Sequence, residues 1–115
     1  MLKSFLYAFQ GIAAALKSER NLRFHLLATT CVVAVGFLVD LLKHEWLLIT
    51  LVICGVWAAE LFNTALEKLV DIVQPEHDIR VKFVKDVAAG AVLFMSIAAI
   101  AVAVYVFGGR IINLL

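Results

Sequence analysis

The sequence predicts an all-α membrane protein: an N-terminal amphipathic helix lying in the interface, followed by three transmembrane helices. Three observations carry this prediction. The 115 residues are 64% hydrophobic with a single proline, and mean hydropathy is +1.03. A water-soluble globule of this length could not hide so much apolar surface. Three separate stretches approach the ~20 apolar residues that cross a bilayer as a helix. No stretch alternates polar and apolar as a barrel strand would, and a lipid environment leaves helix or barrel as the only options.

Residues 2–17 form the first element. Leu2, Phe5, Leu6, Phe9, Ile12, Ala13 and Leu16 fall on one side of a helical wheel, with Lys3, Ser4, Tyr7, Gln10 and Lys17 on the other. That pattern suits a helix in the membrane plane. The first residues lack the long apolar core and cleavage site of a secretory signal. The spans follow at about 24–42, 46–66 and 87–107, the last without a charge over 21 residues. Between the second and third lies DIVQPEHDIRVKFVKD, where Pro75 ends or kinks the preceding helix. No repeat or low-complexity stretch divides the chain, so residues 1–115 are expected to form a single membrane-embedded domain.

Charge orients the bundle. Lys3, Lys17, Arg20, Arg23, Lys68, Arg80, Lys82 and Lys85 flank one side of the spans, against only Lys43 and Arg110 on the other. The N-terminus and the 68–85 connection are therefore expected in the cytoplasm. Arg20 and Arg23 suit either this anchoring or a phosphate. Net charge is only +1, and no nucleic-acid partner is expected. Cys31 and Cys54 lie inside apolar segments without CxxC spacing and read as free thiols.

The second span ends in WAAELFNTALEKLVD, which places Glu60, Asn63, Glu67 and Asp71 at intervals of 3, 4 and 4 residues. At 100° per residue they occupy a sector of about 80° on one helix face, with Thr64 at its border. A helix end emerging into water accounts for Asp71 and Glu67. It accounts poorly for Glu60, about 16 Å back along the helix axis. A lone acid near the centre of a spanning helix costs roughly 2.5–3.5 kcal/mol on insertion scales, which marks Glu60 as functional. Asn63 suits function or helix association equally.

KSERNLRFH (17–25) and KDVAAGA (85–91) enter the first and last spans at the same membrane level. Carboxylates at a water–lipid boundary suit Mg²⁺, which takes oxygen ligands and bridges to phosphate. A lysine balances phosphate charge, and a deeper carboxylate can accept a proton from a hydroxyl. Cytoplasmic nucleotide and membrane alcohol would meet here. No P-loop, GxGxxG or protein-kinase motif is present. On these residues alone, a small ion-coupled transporter with Glu60 as proton carrier remains a rival reading, and an inert scaffold explains the helices but not the stripe.

ELFNTALEKLVD together with KDVAAGAVL resembles the paired signature of the bacterial integral-membrane diacylglycerol kinases, a family that includes undecaprenol kinases of the Gram-positive type. GIAAALKSERNLRFH, with Gly11 eight residues before Glu19, is similar to the family's N-terminal segment. The resemblance runs from about Phe5 to Phe107. It implies a homotrimeric helical bundle in the bacterial cytoplasmic membrane, with sites between protomers, and ATP- and Mg²⁺-dependent phosphorylation of a lipid hydroxyl. Carried over by motif, Glu60 is the catalytic base, and Glu19 and Glu67 hold the metal that bridges the ATP phosphates. Asn63 lines the site, while Tyr7, Lys85 and Asp86 contact the nucleotide. Glu76, His77 and Asp78 fall where the family's loop covers ATP, although the residue types there differ. An arginine preceding the surface helix in the Gram-negative-type enzyme has no counterpart, and Lys3 is expected to substitute. The ERN and KDVAAGAV forms lean toward the undecaprenol-kinase branch. His25 and His44 read as interfacial residues, and His77 reads equally as a solvated loop residue or an ATP contact.

Overall fold

The computed structural model describes all 115 residues as four helices without strands. They are α1 (Leu2–Ser18), α2 (Arg20–Leu38), α3 (Lys43–Val73) and α4 (Ile79–Leu114). The last three are long and apolar enough to cross a membrane. At 1.5 Å per residue, α3 and α4 run roughly 46 and 54 Å, well beyond a ~30 Å hydrocarbon layer, so helix continues past the apolar spans. The polar stripe of α3 is thus carried on unbroken helix to Val73.

Each boundary has a local cause. Only Glu19, extended at φ −113° and ψ 115°, separates α1 from α2. Arg23 reaches back across this corner, its Nη1 donating to the carbonyls of Leu16 and Lys17 at 2.9 Å each. It thereby satisfies orphan acceptors at the end of α1. Its position is that of a cap.

At the far end of α2, Asp40 adopts φ 54°, a left-handed conformation that aspartate tolerates better than most residues. The Leu41 N–H then donates to the Gly36 carbonyl at 3.2 Å, closing the helix. This turn ends α2 four residues before the apolar run does. A Cβ on Gly36 would come within 2.7 Å of the Trp46 ring, so glycine is what lets that ring cover the turn. The ring also packs on Phe37, with centroids 4.8 Å apart.

α3 and α4 form the main helix pair. Gly55 receives the Met95 methyl group, which occupies the space a Cβ would need. Where the start of α3 meets the end of α4, Leu41, Ile49 and Val106 form a buried cluster. Beside them Arg110 donates to both carboxylate oxygens of Glu45, 2.5 Å away, and Glu45 also accepts from the Leu42 N–H at 2.9 Å. Arg110, counted only as a basic residue flanking the spans, is half of an ion pair.

Little else is enclosed. The apolar window of α4 has no buried residues, and α1 has none anywhere. Such surface on a single chain belongs against lipid or other helices.

Candidate active site

The stripe on α3 is a graded structure. Its deepest member, Glu60, is only 8% exposed. His25 Nε2 of α2 lies 2.9 Å from Glu60 Oε1, so one proton is shared across the helix interface. One turn away on both helices, Trp57 Nε1 donates to Thr29 Oγ1 at 2.9 Å. These two polar links, stacked along α2 and α3, fix their relative register. An acid at membrane depth is expected to have a partner, and His25 supplies it.

Beside this pair opens a groove of about 340 Å³. Phe24, Val32, Ile53, Val56 and Ile100 give it an apolar lining, with His25, Thr29 and Ser96 as polar exceptions. The groove is apolar, and His25 in its lining connects it to the Glu60 carboxylate.

One turn below, Asn63 Nδ2 donates to Glu67 Oε1 at 3.1 Å. Asn63 Oδ1 is buried without a partner. A buried acceptor left unpaired is uncommon and costs free energy, about 1–3 kcal/mol by mutational estimates. It awaits a donor or a cation.

Glu19, at the α1–α2 corner, meets Lys68 of α3 at 3.5 Å. Lys85 Nζ donates to Asp71 Oδ1 at 2.7 Å, joining the C-terminal part of α3 to the N-terminal part of α4. Asp86 is engaged by Lys82 at 2.5 Å, one turn along α4. Asp78 caps α4, accepting from the Arg80 N–H at 2.8 Å and from the Arg80 guanidinium at 2.7 Å. The guanidinium, then the backbone N–H, hold the Asp78 carboxyl at about 2, below its ordinary value of 3.8. Glu76 and His77 are exposed on the 74–78 connection, and Tyr7 is exposed on α1.

The sequence-predicted residues thus fall into separate groups. Asn63 and Glu67 are bonded to each other one turn along α3 from the Glu60–His25 pair; Glu19 touches α3 through Lys68; Lys85 and Asp86 are held in ion pairs. No three His, Cys, Asp or Glu side chains gather at metal-binding distance. The set still fits Mg²⁺, which takes one or two protein carboxylates with substrate phosphates. Glu19, Glu67 and the unpaired Asn63 Oδ1 are all hard oxygen donors.

Sequence reasoning missed His25, assigned to the interface because a single histidine carries no pairing information. The signal lay in Glu60 itself. A membrane-level acid demands a polar partner on a facing helix, and His25, Thr29 and Thr30 were the candidates α2 offered.

The chain is 40% identical over 105 residues to an undecaprenol kinase of Bacillus subtilis (strain 168), covering 91% of this chain and 85% of that protein. It is 39% identical over 104 residues to a diacylglycerol kinase of Synechocystis sp. (strain ATCC 27184 / PCC 6803 / Kazusa), covering 89% of this chain and 59% of that protein. Residues 6–107 match the family described as prokaryotic diacylglycerol kinase. With that match over most of its length, the chain belongs to the prokaryotic diacylglycerol kinase family.

Proposed function

We propose that this protein is a kinase of the bacterial cytoplasmic membrane that transfers the γ-phosphate of ATP to the hydroxyl of a membrane lipid alcohol. The observation that carries the reading is the buried Glu60 beside an apolar groove, on a helix whose lower turns lead to water. A hydrocarbon chain lodged in the groove presents its hydroxyl to Glu60. The carboxylate takes the hydroxyl proton as the alcohol oxygen bonds to the γ-phosphorus and the bond to ADP breaks. Diacylglycerol would give phosphatidate, and undecaprenol would give undecaprenyl phosphate. The undecaprenol kinase relative is spanned over 85% of its length against 59% for the diacylglycerol kinase, which makes undecaprenol the first alcohol to test.

Glu19, Glu67 and Asn63 Oδ1 would hold Mg²⁺, which supplies charge neutralisation at the phosphates when bound. Lys85 would exchange Asp71 for phosphate, and Glu76 and His77 are free to cover the nucleotide with Tyr7 and Asp86. Asp78 serves the loop mainly by starting α4. The basic residues orient α1 and the 68–85 region toward the cytoplasm. Residues 1–115 act as one membrane-embedded unit. The apolar window of α4, none of it buried within the chain, supports association with further copies. A homotrimer completing its sites between protomers is the assembly we infer. Family membership leaves the transporter alternative without support.

Glu60→Gln tests the reading. The amide keeps the shape and removes the proton acceptor, so the protein should insert and bind Mg-ATP while turnover falls by about 10²–10⁴-fold. Parental turnover in a folded variant would remove Glu60 from the chemistry.

A further inference from the structure

We propose that His25 is a positioning residue for Glu60, fixing the carboxylate rotamer from which it accepts the substrate proton. This rests on Glu60 being the base.

The geometry supports one arrangement. His25 Nε2 lies 2.9 Å from Glu60 Oε1; with the ring proton on Nε2 it donates to that oxygen and leaves Oε2 for the lipid hydroxyl. The ring is itself restrained: its helix is pinned one turn away by the Trp57–Thr29 bond, and Phe24 meets the imidazole edge-on at 6.1 Å. His25 also lines the groove beside Glu60. A base held by a third group whose own position is overdetermined is the general pattern of an activated acid–base pair.

Nothing else near Glu60 can take this part. On α3 the next polar groups are Asn63 and Glu67, bonded to each other, and Thr64, which lies on the strip toward α1. α4 presents Ala88, Ala91, Ser96 and Ala99 to this side, none of them charged. α1 meets α3 along a different strip, at Leu61, Thr64 and Lys68.

The test uses the full-length protein in lipid micelles with saturating Mg-ATP, with diacylglycerol and undecaprenol as acceptors. His25→Leu should lower kcat by about 10- to 100-fold, the cost of a misplaced catalytic group, while the KM for ATP stays put. His25→Gln, whose amide N–H can reach the same oxygen, should recover most of that loss. Because His25 acts through Glu60, His25→Leu should cost nothing further in a Glu60→Gln background. Three results would overturn the proposal: parental kcat in His25→Leu, equal losses in the Leu and Gln variants, or additive losses in the double variant. Should Glu60→Gln itself turn over at the parental rate, the base assignment falls and the role of His25 falls with it. A dead Glu60→Gln beside an active His25→Leu would remove only His25.

Discussion

Gly36→Ala tests the turn that sets α2 against α3. The added methyl would lie 2.7 Å from Trp46 Cη2, 3.0 Å from Leu41 Cδ1 and 3.1 Å from Trp46 Cζ2. Ordinary carbon contacts are about 3.5–4.0 Å, so the indole has to retreat by about 1 Å. Phe37 packs against that ring and resists the movement. Overpacking of this kind costs about 1–3 kcal/mol. Replacing a helical glycine with alanine returns about 1 kcal/mol. The net expectation is a destabilisation of about 1 kcal/mol, taking the middle of the overpacking range. Thermal unfolding in detergent, followed by helicity, measures it. The same substitution in a Trp46→Leu background should become neutral or stabilising, since the rigid obstacle is gone. Gly36→Ala that stabilises the parental protein, or that costs the same in both backgrounds, would refute the close-approach argument. The stake is functional as well as structural. His25 lies 11 residues from Gly36, about 16 Å along the same helix, so a tilt at the turn is felt at Glu60.

Two further perturbations probe the helix ends. Asp78 has its carboxyl held at about 2 rather than 3.8. Its stabilisation of α4 is therefore full above the ordinary value and lost as pH falls through about 2. The Arg80 amide chemical shift should titrate with a midpoint near 2, and a midpoint near 3.8 would show that the cap is not formed. At the opposite end, Glu45→Gln or Arg110→Gln should each lower the unfolding temperature by leaving a charged partner unpaired. The exchanged pair, Glu45→Arg with Arg110→Glu, should be more stable than either charge reversal alone. Equal or lower stability of the exchanged pair would deny the interaction.

Much of this architecture was legible in the sequence because lipid imposes simple rules. Runs of about 20 apolar residues give spans, and the 3-4-4 spacing of Glu60, Asn63, Glu67 and Asp71 gives one face of α3. The structure extends that face as continuous helix and grades it from buried Glu60 to exposed Asp71. What stayed hidden was pairing between helices. His25 finds Glu60 across 35 residues and Arg110 finds Glu45 across 65. Periodicity within one helix carries no information about which residue faces it from another. Arg23 was read as anchor or phosphate ligand for the same reason, since its cap on α1 depends on the sharp corner at Glu19. Boundaries shifted where backbone hydrogen bonding and hydropathy part company. Asp40 turns α2 off inside an apolar run, while α3 and α4 stay helical through polar sequence.

The central claim is that phosphate from ATP ends on a lipid hydroxyl. Its most direct measurement is to incubate the purified protein with γ-labelled ATP, Mg²⁺ and a panel of lipid alcohols that includes undecaprenol and diacylglycerol. Label should move into a lipid phosphomonoester, one phosphate for each ADP formed. ATP consumption without labelled lipid, or solute flux across proteoliposomes with no lipid phosphorylated, would contradict the account.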